Sequence, residues 1–355
     1  MSHIISSSDL EQRVAQLFSS VGATKQIAQQ VAANLVLANL SGHDSHGVGM
    51  APRYVDAVLE GNLKPDASTL IKVDNGMLLG LDADTGFGQI VGVQAMNIAF
   101  ERVEKHGACI FTLARSHHLG RIGHFAEMAV ARGWISIHFV NVLSRPSVAP
   151  FGGADGRFGT NPCCIGIPIG VDDQKREPFV LDFATSRVAQ GKMRVAYNKG
   201  ERVSPGILID GDGIPTTDPG VVVVPQPNGR AGALMPFGEY KGFGLALVCE
   251  LLGGALSGGG TWHKEYDGRR AVLNNMLTIL IDPKKLGSGT VFASETLEFL
   301  DWLKKSPTPP GSNGVLLAGE PERKARADRG KNGITIDAAT WQELVDCGTK
   351  IKSAF

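Results

Sequence analysis

A chain of 355 residues, 43% hydrophobic and 20% charged, is long enough to bury a sizeable core as two domains or as one large domain with an insertion. Lys+Arg and Asp+Glu are equal at 35 each, and neither sign forms a long run, which argues against nucleic acid or an anionic membrane as a partner. The cysteines at 109, 163, 164, 249 and 347 are scattered without a CxxC, which excludes a disulfide framework or a zinc knuckle and leaves them as small buried apolar residues.

The start, MSHIISSSDLEQ, lacks the basic and apolar regions of a signal peptide, and the most apolar later segment, FGLALVCELLGGALSG, is too short to span a bilayer; the expectation is a cytoplasmic protein. Ser8 and Glu11 have capping-box spacing, and Leu10, Val14, Leu17 and Phe18 recur at helical intervals, so a first helix is expected there. Ile27, Val31, Leu35 and Ala38 mark a second that stops near Gly42. SHGVGMAPRYVDAVLEGNL reads as a third, with Tyr54, Val55, Val58 and Leu59 inward. LIKVDNGMLLGL then reads as a hairpin turning at Asn75-Gly76. QIVGVQAMNIAFERVEKHG looks helical, ACIFTLA extended, HFAEMAVARG helical, and WISIHFVNV, CCIGIPIG and PFVLDFA extended, a mixed alternation of strands and helices. From Tyr240 helices return in KGFGLALVCELLGGAL and SETLEFLDWLKKS, and the Pro-rich KKSPTPPGSNG is a loop.

Gly86-Phe-Gly88-Gln-Ile-Val-Gly92 approaches a dinucleotide fingerprint, but its spacing is GxGxxxG and the next strand ends in Ala114-Arg115 without a ribose-binding acid, so close helix packing explains it better. His43-Asp-Ser-His46 holds the letters of a hydrolytic triad, yet adjacent residues cannot line up in relay; Asp44 or Ser45 is expected to cap a helix. ARSHHLGRIGHFAE packs His117, His118 and His124 between two apolar segments. No HExxH or HxxxH accompanies them, so they suit acid/base work better than a metal, with a structural role for His124. Taken alone, FGTNP is a turn whose Thr160 hydroxyl and Asn161 amide are placed to hold a carboxylate, and LDFATS delivers Asp182, which suits either a ribose contact or plain structure.

Taken together, GHDSHGVGM, ARSHHLGRIG, FGTNP, LDFATS, GKxRVA, GIPTTDP and YKGFGLALVCELLGGALSGG resemble the type 2 malate/L-lactate dehydrogenase family of NAD(P)-dependent oxidoreductases, in consistent order over nearly the whole chain. The forms HDSHGVGMxPRYV and SHHLGRIG most resemble its hydroxycarboxylate dehydrogenases. The resemblance implies an α/β (mixed α+β) fold unlike the Rossmann dehydrogenases: a helical domain from both chain ends (residues 1–74 with 238–355), an inserted mixed-sheet cofactor domain (75–237), and a homodimer with the cofactor in an interdomain cleft. It implies acid/base work at His46 with Ser45 beside it, and His118 occupies the position of the proton acceptor in ureidoglycolate-type relatives.

Carried over residue by residue, the resemblance implies cofactor contacts from His46, from Gly120, Arg121 and Ile122, from Val180, Leu181, Asp182, Phe183 and Ala184, and from Gly319, Glu320, Pro321 and Glu322, with Asn274 and Tyr240 as further matches. On the substrate side it implies Tyr54 and Thr160. Many relatives carry an arginine four residues after the SHG histidine and an acid after the VAxG segment, where this chain has Met50 and Lys192. Carboxylate recognition therefore falls to Arg53, Lys192 or Arg121. The expected activity is interconversion of 2-oxo and 2-hydroxy acids, without a metal. NAD is expected rather than NADP if Glu320 and Glu322 lie near the adenosine ribose and repel a 2′-phosphate. A histidine-metal hydrolase, a malate-, lactate- or ureidoglycolate-specific dehydrogenase and a non-catalytic binding protein are the alternatives.

Overall fold

The computed structural model describes residues 2–170, 176–263, 271–287, 289–312, 314–353 and 355. In chain order, β1 (His3–Ile5) leads into α1 (Ser7–Ser19), α2 (Lys25–Leu40), two 3₁₀ turns (Asp44–His46 and Val48–Met50) and α3 (Ala51–Leu59). The Ser6 hydroxyl accepts from the Asp9 amide and Thr24 caps α2 in the same way, so α1 starts earlier than the Ser8–Glu11 pair suggested. Leu10, Val14, Leu17 and Phe18 line the buried face of α1. The SHGVGM stretch is not helix but the two tight turns, because Pro52 lies in the first turn of α3 and the glycines on either side favour bends. Leu59, expected inward, is exposed; Ala51, Tyr54, Val55 and Ala57 are the buried positions of α3.

Then come β2 (Leu70–Asn75), β3 (Leu78–Asp82), α4 (Gly88–His106), β4 (Ala108–His117), α5 (Gly123–Val130), β5 (Ile135–Leu143), β6 (Cys163–Ile169), β7 (Arg176–Phe183) and α6 (Gln190–Lys199). The hairpin turn sits one residue later than expected: Asn75 pairs with Leu78, so Gly76-Met77 is the loop. A smaller lobe holds β8 (Leu208–Ile209), β9 (Pro215–Thr216), α7 (Gly220–Val223) and β10 (Ala233–Leu234). After it follow α8 (Tyr240–Val248), a π-helical segment (Cys249–Ala255), β11 (Leu273–Ile281), α9 (Gly289–Lys304), α10 (Glu320–Asn332), β12 (Ile334–Ile336) and α11 (Ala338–Lys350). The Pro-rich loop lies after α9, with Asn313 outside the described residues.

The main sheet has the order β2-β3-β4-β11-β5-β6-β7. Only β3 and β4 run parallel, joined by α4 as a crossover. β11 occupies the middle, antiparallel to both β4 and β5. That corrects the expectation that everything from 238 onward packs with the N-terminal helices: residues 273–281 belong to the sheet, and the π segment lies against it. The Cβ that Gly253 lacks would stand 2.8 Å from the Phe139 carbonyl, so a bare backbone is what permits this approach. One core forms between the sheet and α4 and α5 around Phe111, Phe125 and Val140. A second joins α1–α3 to β12 and α11 around Phe18, Tyr54 and Phe87; each such ring contributes about 1.5–3 kcal/mol on burial. A third, small one surrounds Val148, Leu208 and Leu234. All five cysteines are free and buried, and burial pushes the Cys163 thiol up to about 12.

Candidate active site

Two segments far apart in sequence meet at a pair of imidazoles. His46 ends the first 3₁₀ turn after α2, and His118 follows the last residue of β4. Their rings stack 14° from parallel with centroids 5.7 Å apart. The His46 turn is held by Asp44, whose carboxylate accepts from Asn39 Nδ2 at 2.7 Å and from Arg329 Nη1 of α10 at 2.6 Å. Asp44 is thus an anchor between elements rather than a helix cap. Ser45 is no cap either: its hydroxyl lies 3.1 Å from His46 Nδ1. The His118 loop is fixed from the sheet, where Asn274 Oδ1 in β11 accepts from the Leu119 amide at 2.8 Å.

Around the pair, Tyr54 Oη of α3 lies 2.6 Å from His118 Nδ1, and Gln89 Nε2 of α4 lies 3.0 Å from Tyr54 Oη. His117 is buried edge-on to the Tyr54 ring with centroids 5.1 Å apart. Burial, then the neighbouring charges of His43 and Arg121, pushes the His46 pKa down to about 4. Burial followed by His46, His117 and Arg53 holds His118 well below the ordinary imidazole range. Two stacked rings beside arginines thus rest neutral at pH 7, poised to accept a proton and reluctant to keep it.

The expected cofactor residues take the following places. Gly120, at φ +75°, lies against Gln89 and Asn34, where the backbone is bare. Ile122 is buried in the sheet–helix core. Arg121 is buried, but its guanidinium is engaged at 2.5 Å by Glu127, which also takes Arg326, leaving it little freedom for substrate. Asp182, in β7 with Leu181 and Phe183, accepts the amide of Gly123 at 2.7 Å, and burial first of all raises its pKa. Ala184 follows, and Val180 donates to the Ala318 carbonyl, which joins β7 to the segment before Gly319. Gly319 is the left-handed residue before α10, with Pro321 in the first turn.

Glu320 accepts from Lys304 at 2.6 Å and from the Leu317 amide, on the wall of a groove of about 600 Å³ between β7, α9 and α10. Glu322 instead meets His43 Nε2 at 3.1 Å and so belongs to the histidine cluster.

On the substrate side, Arg53 is exposed on α3 with its charge felt at His118. Lys192 is exposed in the first turn of α6, next to Gly191, whose missing Cβ would stand 3.1 Å from Ser45 Cβ. Thr160 offers its carbonyl to the Thr185 hydroxyl at 3.0 Å. Asn274, buried and committed to Leu119 and the Asn141 carbonyl, supports the loop and is not free for a ligand. Tyr240 is not brought to this cluster: it is 61% exposed at the start of α8, with Phe151 and Lys241 as ring neighbours.

Gln89 was missed by the sequence reading, as was the buried amide network of Asn141, Asn161, Asn275 and Glu250 behind the loops. The signal was present in Gln89, a polar residue in an otherwise apolar helix start. Among the described residues no group of three or more His, Cys, Asp or Glu side chains is placed to hold a metal ion, and no helix is long and apolar enough to cross a membrane.

The chain matches the malate/L-lactate dehydrogenase family over residues 5–345. It is 42% identical over 351 residues to hydroxycarboxylate dehydrogenase B of Escherichia coli K12, covering 98% of this chain and 94% of the relative. It is 40% identical over 342 residues to an L-lactate dehydrogenase of Cupriavidus necator, covering 96% and 95%. A solved E. coli structure, described as a candidate malate/lactate dehydrogenase, superposes with a TM-score of 0.93 at 42% identity over 99% of this chain and 96% of that one.

Proposed function

The chain belongs to the malate/L-lactate dehydrogenase family, and from that premise we propose that it works with NAD, using His46 and His118 at the substrate oxygen. The chain is an oxidoreductase that interconverts 2-oxo and 2-hydroxy acids. The metal-hydrolase alternative has no counterpart among these relatives. The observation that carries the site assignment is the stacked imidazole pair, drawn from two distant segments, with the charge of Arg53 felt at His118.

The expected residues suit a nicotinamide dinucleotide: the bare backbone at Gly120, the half-buried Asp182 carboxylate, and Glu322, whose Oε2 is buried without a partner and whose charge acts on Asp182. Such a cofactor supplies or accepts the hydride at the substrate carbon. The protein's part is to hold the acid carboxylate through Arg53, Thr160 or Lys192 and to move one proton at the substrate oxygen through an imidazole.

A homodimer accords with the apolar surface. Leu247 of α8, Leu251 of the π segment and Leu256 just after it are exposed, and Leu256 shares a hollow with Val73 of the wholly exposed β2. Light scattering should give twice the 37.6 kDa chain mass, and Leu251→Glu with Leu256→Glu should yield monomer.

The deciding assay follows NADH and NADPH oxidation across a panel of 2-oxo acids of differing length and charge. Turnover with at least one acid and a higher kcat/KM for NADH is expected. No oxidation with any member would overturn the reading, and a strong NADPH preference would overturn the NAD assignment alone.

A further inference from the structure

We infer that Gln89 is a positioning residue which, acting through Tyr54, fixes the tautomer of His118 with its proton on Nε2, leaving His46 as the group that exchanges the proton. This rests on the functional reading above and deepens it.

The near-fingerprint GFGQIVG is built around this contact. Gly88 lies so close to the His118 loop that a Cβ there would stand 2.3 Å from the His118 carbonyl oxygen. That closeness delivers Gln89, which is fully buried. Its Nε2 sits 3.0 Å from Tyr54 Oη and 3.3 Å from the His118 carbonyl. A carbonyl can only accept, so the Gln89 atom facing it is the amide nitrogen, and its second hydrogen goes to the phenol oxygen. The phenol has one hydrogen of its own. With its oxygen accepting from Gln89, that hydrogen is left for His118 Nδ1 at 2.6 Å. Nδ1 therefore carries a lone pair, and the neutral ring carries its proton on Nε2.

The chemical consequence is a division of labour. In the oxidation of a 2-hydroxy acid, a bound nicotinamide would take the hydride from the carbinol carbon; the protein's own part is that His46 takes the O–H proton as the C=O bond forms. His118 Nε2–H donates a hydrogen bond to the same oxygen throughout and gives up no proton. In reduction, protonated His46 returns the proton. The two rings stacked at 5.7 Å are poorly suited to carrying positive charge together, and this arrangement never asks them to.

The test reads the tautomer directly, in the full-length protein labelled with ¹⁵N-histidine, with His118 assigned by its loss in His118→Gln. The wild type should show a pyridine-type shift at Nδ1 and a pyrrole-type shift at Nε2. Gln89→Met and Tyr54→Phe should both erode that preference. Kinetically, Gln89→Met should lower kcat by about 10- to 100-fold in both directions with little change in cofactor KM, a part of the usual contribution of a positioned acid/base pair. A pyrrole-type Nδ1 in the wild type overturns the inference even if every variant misfolds. Well-folded Gln89→Met with unchanged tautomer and unchanged kcat overturns it as well. Because the spectrum needs no turnover, the tautomer can stand while the oxidoreductase assay fails, and the reverse outcome is equally visible.

Discussion

At His46 the pH dependence has a definite sign. Its pKa, pushed down to about 4 chiefly by burial, leaves it neutral in the resting protein above pH 5. Oxidation of a hydroxy acid needs the neutral base, so its kcat/KM should stay flat from pH 8 to pH 5 as far as this group is concerned. Reduction of an oxo acid needs the protonated form, so its kcat/KM should rise about tenfold per unit as pH falls from 7 toward 5. A reduction profile that is flat over that range removes His46 as the donor. His46→Ala and His118→Ala should each lower kcat by about 10²- to 10⁴-fold in folded protein. Arg121 behaves differently from a ligand-binding arginine, being buried against Glu127. Arg121→Ala should destabilise the fold by on the order of 3 kcal/mol in urea titrations, because Glu127 then keeps only Arg326. A loss confined to cofactor KM would show that the guanidinium is free after all.

Helix α4 shows how an element carries the site. Its start is pressed against the His118 loop at Gly88, and its second turn meets the Phe125 ring of α5 at Gly92, where a Cβ would stand 2.6 Å from the ring. A ring can shift; the backbone at His118 cannot do so without carrying the imidazole along. Gly88→Ala should therefore cost about 1–3 kcal/mol and lower kcat together, whereas Gly92→Ala should cost stability with kcat largely kept. Equal kcat in the two variants would remove the special role of Gly88. The same contrast explains what was legible in the sequence. Helices α1 and α2 announce themselves through apolar residues at helical spacing and Ser or Thr caps, which are local signals. β11 did not: Asn274 and Asn275 look like turn residues, and they are tolerated mid-sheet only because Asn141, Leu119 and Arg115, all more than 130 residues away, satisfy them. His46 and His118 stood out as polar clusters, but their stacking depends on β4 and the turn after α2 converging. α11, capped by Asp337 with Leu344 and Cys347 inward, carries the same local signals and went unread, whereas charge-rich α6 and α10 gave no comparable signal.

For the whole molecule, the buried histidines set the acid limit of stability. His138 lies within the sheet, donating to or accepting from Thr278 at 2.9 Å beneath the Phe125 ring, and burial pushes its pKa down to about 3; His117 is likewise held at about 3. An unfolded histidine titrates near 6.5, so below that pH the unfolded chain binds more protons than the folded one. Stability is complete above pH 6.5 and falls as pH drops from there toward 3, by about 1.4 kcal/mol per unit for each such ring. Over two units the pair removes about 5 kcal/mol, comparable with the whole stability of many domains. Asp182 and Glu250 act in the opposite direction, since burial raises their pKa values and the folded state then takes up protons first, which offsets part of the loss. Urea unfolding of the wild type at pH 7, 6 and 5 should show a steep loss, and His138→Gln, which keeps a polar group facing Thr278 but cannot titrate, should show a slope shallower by about 1.4 kcal/mol per unit below pH 6. Parallel slopes for the two proteins would mean that His138 is already protonated or solvated in the folded state, and the acid limit would then have to come from the carboxylate pairs instead.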